Sequence, residues 1–244
     1  MKVAIVAVTK KGEAAALKIK KNLPGCKIYI AKGKLKDLTK RLFSEFEGIV
    51  FCMAVGIAVR VIASCVKDKH TDPAVVVVDD HGRFAVSLLS GHEGGANALA
   101  IRVANSLGAE PVITTASESR RNTVIGIGCR RGIQKEEIIK AARYALAKTG
   151  LSIDRVRYIA TIDLKQDEQG LRAACAELGI PLRAIPAVLV KKFSGPYERS
   201  AFVKEKIGVE GVSEPCALIA AKRPKLVLPK TKIGGVTVAV VKEA

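Results

Sequence analysis

The sequence contains no tryptophan and only three histidines, and aromatic residues make up 4% of its 244 positions. Proteins that hold single-stranded nucleic acid commonly stack bases on aromatic side chains, so this scarcity disfavours nucleic acid as the partner. The longest apolar run, 48–59, is followed by Arg60 and falls well short of the roughly 20 residues that a membrane-spanning helix needs. The apolar run at 3–8 is too brief for a signal-peptide core. We therefore expect a soluble cytoplasmic protein that does not bind a membrane.

Paired cysteines are also missing. No Cys-x-x-Cys pattern occurs, and no histidine lies beside a cysteine at the spacing of metal ligands. Most of the cysteines fall in apolar stretches, where the residue behaves as a small buried hydrophobe. The sequence therefore predicts neither a disulfide framework nor a metal site in the protein. The six scattered cysteines are Cys26, Cys52, Cys65, Cys129, Cys175 and Cys216.

Acidic residues are too few to balance the basic ones, and the formal net charge is +18. Residues 1–119 carry 17 basic and 11 acidic side chains (net +6), and residues 120–244 carry 24 and 12 (net +12). Such a surplus favours a polyanionic partner, which could be nucleic acid, an acidic membrane, or a small molecule with many carboxylates or phosphates. A lysine-rich surface that only keeps the protein soluble would explain the same numbers.

The order of apolar patterns predicts two layered α/β domains with mixed sheets. In the first half, strand-like and helix-like segments follow the order βαβαβα, then a hairpin, then αβ. A short polar segment at 117–122 marks the expected boundary, which gives predicted domains at 1–119 and 120–244. The second half restarts with a strand and a glycine loop from Thr123, continues through further strand and helix patterns, and closes with two predicted strands, at 225–228 and 236–242.

The most informative stretch is 87–97, with the sequence Ser-Leu-Leu-Ser-Gly-His-Glu-Gly-Gly-Ala-Asn. A β-rich run at 83–89 precedes its glycines, and apolar residues at helical spacing follow from Ala96 to Leu107, with Gly108 as a stop. Loops at the carboxyl ends of strands in open α/β sheets are common ligand sites. Glycines there let a ligand approach the backbone, and the first N–H groups of the helix favour anions. A glycine-softened turn with a solvated His and Glu is the alternative interpretation.

Three other segments carry candidate binding chemistry. Gly56 and Arg60 belong to a second junction of strand, glycine and helix. Arg130 and Arg131 stand in a loop between Gly128 and Gly132, where guanidinium groups suit carboxylate or phosphate. The glycines at 126, 128 and 132 do not have the spacing of a dinucleotide-binding fingerprint. Charged residues at 163–168 follow a further strand, where one carboxylate could instead cap the next helix, and Ser213 is expected to be a helix N-cap.

Taken together, these segments resemble the cobalt-precorrin-5A hydrolase family (CbiG-like) of anaerobic cobalamin biosynthesis. The run Leu-Leu-Ser-Gly-His-x-Gly-Gly-Ala-Asn is the most specific match, and the resemblance covers nearly the whole chain. Members of this family often carry a middle segment, for which 117–122 leaves no room, so the chain resembles a compact form. The other matching segments are 56–60, 72–79, 111–116, 126–132, 161–165 with Glu168, 211–215 and 235–239.

The resemblance implies a reaction in which water opens the ring-A δ-lactone of cobalt-precorrin-5A. The extruded two-carbon unit leaves as acetaldehyde, and cobalt-precorrin-5B is formed. The protein would need no cofactor, since the cobalt belongs to the substrate. Such a macrocycle carries many carboxylates, which agrees with the independent interpretation of the net charge. Other enzymes of the corrin pathway are further candidate partners.

Lactone opening requires an activated water, a stabilised oxyanion and an anchored anionic ring. We expect His92 to be the general base, because imidazole titrates near neutral pH, with Glu93 orienting or assisting it. The N–H groups of Gly94 and Gly95 are the expected oxyanion donors. Ser90 is a less favoured covalent nucleophile, because no triad is readable. The further residues assigned to substrate binding are Gly91, Asn97, Gly56, Arg60, Lys69, Arg130, Arg131, Asp163, Lys165 and Glu214.

Two alternatives remain open at this stage. The first is a protein that binds corrinoid intermediates without hydrolysing them, because the second half shows little catalytic machinery. The second is a nucleic-acid-binding protein, which the net charge of +18 favours and the aromatic content disfavours.

Overall fold

The computed structural model describes residues 1–31 and 33–244. The chain forms two compact units, Met1–Thr115 and Ala116–Ala244. The sequence predicted a boundary four residues later, between Ser119 and Arg120. The segment 117–122 is also more than a linker, because its first part belongs to a short helix at the start of the second unit.

The first unit is a six-stranded mixed sheet flanked by helices, as the sequence predicted. Its sheet order is β2-β1-β3-β4-β5-β6, with β1 to β4 mutually parallel and β5 antiparallel to β4. The elements are β1 (Val3–Ala7), α1 (Lys10–Asn22), β2 (Lys27–Ile30), α2 (Leu35–Glu45), β3 (Gly48–Cys52), α3 (Val55–Ile62), β4 (Ala74–Val78), β5 (Phe84–Leu89), α4 (Ala96–Leu107) and β6 (Glu110–Val112).

The three central strands of this sheet are buried on both faces. Every residue of β1, β3 and β4 is buried, which explains why these segments are continuous apolar runs rather than alternating ones. Helices α1 and α4 cover one face and α2 and α3 the other, each with its own apolar cluster. Helix α4 ends at Gly108, whose φ of 68° is the left-handed conformation expected of a glycine stop.

The second unit is a five-stranded mixed sheet of order β10-β11-β7-β8-β9, in which β7, β8 and β9 are parallel. Short 3₁₀ turns occur at Ile153–Arg155 and Asp163–Lys165. The elements are α5 (Ala116–Ser119), β7 (Thr123–Cys129), α6 (Lys135–Thr149), β8 (Val156–Ile162), α7 (Gln169–Leu178), β9 (Leu182–Ile185), α8 (Ala187–Lys192), α9 (Ala201–Ile207), α10 (Ser213–Ala220), β10 (Pro224–Ile233) and β11 (Val236–Glu243).

Strand β7 presents different residue types on its two faces. Ile125 and Ile127 belong to the apolar cluster beneath α6 and α7. On the other face, a Cβ at Gly126 would lie 1.8 Å from the carbonyl oxygen of Ser213, the first residue of α10. A Cβ at Gly128 would lie 2.5 Å from the hydroxyl of Thr237. These glycines therefore allow α10 and β11 to approach the strand closely, which is a packing role and not a nucleotide site.

One local expectation is corrected by the second unit. Ser213 is the first residue of α10, the N-cap is Val212, and no side chain caps the helix. Glu118 in α5 is buried, with Oε1 3.7 Å from the guanidinium Nε of Arg157. Burial raises the pKa of this carboxyl even though Arg121 and Arg157 oppose the shift. No helix in the described residues is long and apolar enough to cross a membrane.

Candidate functional site

The loop 90–95 joins β5 to α4 and is held by its own backbone. Ser90 has a φ of 54°, an uncommon left-handed conformation for a residue with a side chain. Its carbonyl oxygen accepts hydrogen bonds from the N–H groups of Gly94 (3.1 Å) and Ala96 (3.2 Å). The Gly94 N–H is therefore used inside the loop and is not free as an oxyanion donor, contrary to the prediction. Gly95, at a φ of 82°, is the N-cap of α4.

Ser90 is buried, and its hydroxyl donates to the carbonyl oxygen of Asp72 at 3.1 Å. This bond ties the loop to a residue two positions before β4. A Cβ on Gly94 would lie 2.5 Å from the Cβ of Ser90, so only glycine fits there without a shift. These contacts give Ser90 a structural role and add nothing to its candidacy as a nucleophile.

Asn97 positions the loop rather than a ligand. Its side-chain amide donates to the hydroxyl of Thr115 (3.0 Å), and its side-chain oxygen accepts from the hydroxyl of Ser87 (2.8 Å). Its backbone N–H donates to the carbonyl oxygen of Gly91 (3.0 Å). A Cβ on Gly91 would lie 2.9 Å from the Asn97 side-chain oxygen. Both residues were predicted to bind substrate, and the structure gives them the work of holding the loop.

The exposed part of the loop is His92 and Glu93. The Glu93 carboxylate lies 3.1 Å from the ammonium of Lys69, so the charged segment before β4 contacts the loop. A bond from its own backbone N–H, followed by Lys69, lowers the pKa of Glu93. Glu93 was expected to orient or assist His92, and this role stays a prediction because the carboxylate is seen paired with Lys69. Within the described chain, the His92 imidazole has no hydrogen-bonding protein partner.

The direction of β5 decides which other residues lie near this loop. Because β5 runs antiparallel to β4, its carboxyl end shares an edge of the sheet with the amino ends of β1, β3 and β4. Gly56 follows the carboxyl end of β3 and so begins α3 at the opposite edge. The structure thus separates Gly56 from the loop. Arg60 lies in the last turn of α3, on its exposed side.

The second unit contains a cavity of about 860 Å³ at the carboxyl ends of β7 and β8, hereafter the basic cavity. Its volume is at the upper end of the ~300–1,000 Å³ range of small-molecule sites. Cys129 and Gly128 of β7 and the start of β11 form part of its wall. No carboxylate lines it among the described residues. The six cationic side chains that line it are Arg130, Arg131, Lys165, Lys206, Lys230 and Lys232.

Four of these six cations have an acidic neighbour outside the cavity wall. Arg130 lies 3.4 Å from Glu137, and Lys206 lies 3.8 Å from Glu205. The other two, whose side chains are about 10% exposed, are Lys165 (3.9 Å from Glu168) and Lys230 (2.6 Å from Glu198). Arg131 and Lys232 are exposed and have no ion-pair partner among the residues that the structure describes.

Two acidic residues assigned to substrate binding take different positions. Glu214 is 3% exposed, and its two carboxylate oxygens accept from the backbone N–H groups of Glu198 (2.7 Å) and Lys230 (2.8 Å). This buried carboxylate therefore braces two backbone segments, and its role in substrate binding stays a prediction. Asp163 lies in the 3₁₀ turn after β8, and its buried Oδ1 has no hydrogen-bond partner in the described chain. Asp163 does not line the basic cavity.

Three of the six cations of the basic cavity were predicted from the sequence. Arg130 and Arg131 follow β7 in a glycine loop, and Lys165 follows β8. Lys230 and Lys232 are two residues apart on β10, a spacing that places both on one face of a strand, but the predicted strand ended at Leu228. Lys206 lies on the short helix α9, where one more surface lysine gives no distinguishing signal.

Cys129 supplies a chemical probe of the basic cavity. Burial raises the pKa of this thiol to about 11, although Lys165 acts in the opposite direction. We expect alkylation of Cys129 by iodoacetamide at pH 8 to be about a hundredfold slower than that of an ordinary thiol, because the raised pKa leaves less thiolate. Its rate should then rise about tenfold per pH unit up to pH 10. Peptide mass spectrometry measures this, and equal rates in native and urea-unfolded protein would contradict it.

No group of three or more His, Cys, Asp or Glu side chains in the described chain is arranged to hold a metal ion. All six cysteines are free thiols. The absence of a resident cofactor stays a prediction.

Comparison with known proteins places two family models on the chain. Residues 37–118 match the model described as Cobalamin synthesis G N-terminal, and residues 123–241 match Cobalamin synthesis G C-terminus. Only residues 119–122 separate the two matches. Together the matches cover most of the chain, from residue 37 to residue 241.

Three relatives illustrate the similarity. A cobalt-precorrin-5A hydrolase from Priestia megaterium is 28% identical over 311 aligned positions, which cover 87% of this chain and 83% of that protein. A cobalt-precorrin-5A hydrolase from Salmonella typhimurium is 51% identical over 86 residues, or 35% of this chain and 24% of that protein. Protein CobE from a Sinorhizobium species is 30% identical over 106 residues, or 43% of this chain and 69% of that protein. The first alignment is longer than this chain, so that relative contains residues without a counterpart here.

Proposed function

This chain belongs to the cobalamin synthesis G family, and on that premise we propose that it is a cobalt-precorrin-5A hydrolase. The observation that carries the proposal is its similarity, over 87% of its length, to a relative with that name. Water adds to the carbonyl carbon of the ring-A δ-lactone, and the lactone C–O bond breaks to give a ring-A carboxylate and an alkoxide on the two-carbon unit. As this alkoxide becomes the carbonyl of acetaldehyde, the C–C bond to the macrocycle breaks, and the macrocycle carbon takes the electron pair and a proton. The product is cobalt-precorrin-5B, and the cobalt enters and leaves with the macrocycle.

The base for this reaction is His92. Its imidazole is exposed on a loop whose backbone is fixed by the Ser90 carbonyl and by Asn97, so the ring is presented from a rigid support. Histidine side chains can accept a proton from water near neutral pH. Glu93, whose carboxylate is paired with Lys69, orients or assists the imidazole in this proposal.

The oxyanion formed when water adds to the lactone needs a donor. The N–H of Gly95 has no acceptor within the described chain, unlike that of Gly94, and it stands at the start of α4. The N-terminal end of a helix carries partial positive charge and favours an anion. Gly95 is therefore the remaining donor of the predicted pair.

The proposal is tested by incubating the purified protein anaerobically with cobalt-precorrin-5A. We expect release of about one acetaldehyde per macrocycle, trapped as a hydrazone and quantified by mass spectrometry, together with a corrinoid whose mass fits the opened lactone. A protein that only binds corrinoid intermediates would shift the absorption spectrum of the substrate without releasing acetaldehyde. That result would overturn the assignment as a hydrolase.

A nucleic-acid partner is tested separately. The charge of +18 alone favours it, so filter binding with single- and double-stranded oligonucleotides at physiological salt is the direct measurement. We expect no retention, because a charge surplus without stacking groups gives binding that salt weakens steeply.

A further inference from the structure

We propose that the basic cavity of the second unit binds a macrocyclic polycarboxylate. The carboxylates at the edge of the macrocycle pair with the cations of the cavity, and the apolar ring packs against the apolar wall of the cavity. The identity of the macrocycle as a corrinoid precursor rests on the proposed function. The site itself rests on the residues that line the cavity.

The lining of the basic cavity is strongly positive. Six cations surround one cavity, and no carboxylate of the described chain lines it. Like charges gathered around a low-dielectric concavity repel each other, so the empty site is electrostatically unfavourable and attracts an anion. Neither Arg131 nor Lys232 forms a close ion pair in the described chain, although Lys232 acts on Glu198 from a longer distance, so both charges are available to a ligand without breaking such a pair.

Two of the cations in the cavity are preorganised. The side chains of Lys165 and Lys230 are about 90% buried, and the ammonium group of each is paired with one carboxylate. The Glu168 that pairs with Lys165 also accepts from the backbone N–H of Gly132 at 2.9 Å. A cation fixed in this way loses little conformational freedom when it binds a carboxylate, which favours affinity.

The basic cavity also has an apolar surface. The same cavity is lined by Leu164, Val203, Ile207, Val212 and the aromatic ring of Phe202. Phe202 is 68% exposed, and Leu164 is 51% exposed. An exposed aromatic ring beside cations is what a flat apolar ring with charged edges requires, since the ring can pack on it while the edges reach the cations.

These features favour a macrocycle over a nucleic-acid strand. A strand needs a continuous groove that tracks its phosphates and several stacking groups along it. The basic cavity is a single concavity with one aromatic side chain. It also lies at the carboxyl ends of two parallel strands, where ligands bind in open α/β sheets.

The test measures equilibrium binding of uroporphyrin, a stable octacarboxylate macrocycle, to the full chain by the shift of its Soret band. Coproporphyrin, with four carboxylates, serves as the ligand of lower charge. The cavity variant is the double substitution Arg131→Ala and Lys232→Ala. The matched control is Lys140→Ala with Arg143→Ala, which removes the same charge from exposed positions of α6 that line no part of the basic cavity.

We expect the cavity variant to bind uroporphyrin about tenfold more weakly or worse, because two charge-assisted contacts are lost. The control should bind within about twofold of the unmodified protein, because exposed charges outside the site contribute little. Phe202→Ala should weaken both porphyrins by a similar factor, since it removes ring packing and no charge. Thermal unfolding verifies that each variant is folded.

Equal weakening by the cavity variant and the control would overturn the site, because binding would then follow net charge alone. A single-stranded oligonucleotide that binds the cavity as tightly as uroporphyrin, measured by its displacement of the porphyrin, would overturn the preference for a macrocycle. The hydrolase assignment is judged apart from this. If the cavity variant loses porphyrin binding but the unmodified protein releases no acetaldehyde, the binding site is supported and the hydrolase assignment is contradicted. An unchanged KM for cobalt-precorrin-5A in an active cavity variant would remove the site and leave the function.

Discussion

Replacing Gly126 with alanine is expected to lower the free energy of unfolding by about 3 kcal/mol, because a side chain there meets backbone and not a movable side chain. The added Cβ would lie 1.8 Å from the carbonyl oxygen of Ser213 and 2.7 Å from its carbonyl carbon, with the Cβ of Ala217 at 3.0 Å. Helix α10 must then move away from β7. This movement opens the packing of a helix whose first residues, including Glu214, are buried.

The measurement is urea unfolding of the full chain, followed by circular dichroism. Gly56→Ala is the control, because no atom lies within 4 Å of the added Cβ and the residue is inside helix α3. Alanine is favoured over glycine in a helix by about 0.5–1 kcal/mol, so this variant should be as stable as the parent or slightly more so. A Gly126→Ala protein that unfolds at the same urea concentration as Gly56→Ala would show that α10 does not press on β7.

His92→Ala is expected to lower kcat for lactone opening by about 10²- to 10⁴-fold, the usual contribution of a general base. The substitution removes an exposed side chain that makes no hydrogen bond within the described protein, so the fold and KM should change little. Steady-state acetaldehyde release measures the effect. A loss of less than about tenfold would exclude His92 as the base.

His70→Ala is the matched control for this variant. His70 is also exposed and lies in the same loop as Lys69, which contacts Glu93. Its removal should leave kcat nearly unchanged. Added imidazole should partly restore the activity of His92→Ala, because the vacated position opens to solvent. No restoration, together with an altered unfolding curve, would instead indicate that the loop had collapsed.

Local structure in this chain could be predicted from the sequence because its signals are short-range. The continuous apolar runs at β1, β3 and β4 identified buried strands, and the spacing of apolar residues from Ala96 to Leu107 identified α4 with its glycine stop. The glycine-rich loop at 90–95 was recognised for the same reason. Lys69 and Glu93 come into contact because these two residues flank the hairpin formed by β4 and β5.

The roles of individual residues within that loop required the tertiary structure. Hydrogen bonds to the Ser90 carbonyl occupy one of the two predicted oxyanion donors, and Asn97 is consumed by Ser87 and Thr115. Neither fact follows from residue type, because the partner of a hydrogen-bonding group depends on the folded backbone around it. Likewise, the antiparallel pairing of β5 placed Gly56 at the other edge of the sheet.

The sequence by itself determined the residue types, the net charge, the two α/β halves and the loop that carries His92. Only the tertiary structure decided which charges share a surface. Residues 130 and 232 are far apart along the chain, yet β11 pairs with both β7 and β10 and brings them to one cavity. A lysine on the open surface and a lysine in a cavity look the same in the sequence. Only the packing around them distinguishes a solvated charge from one that is placed to bind an anion.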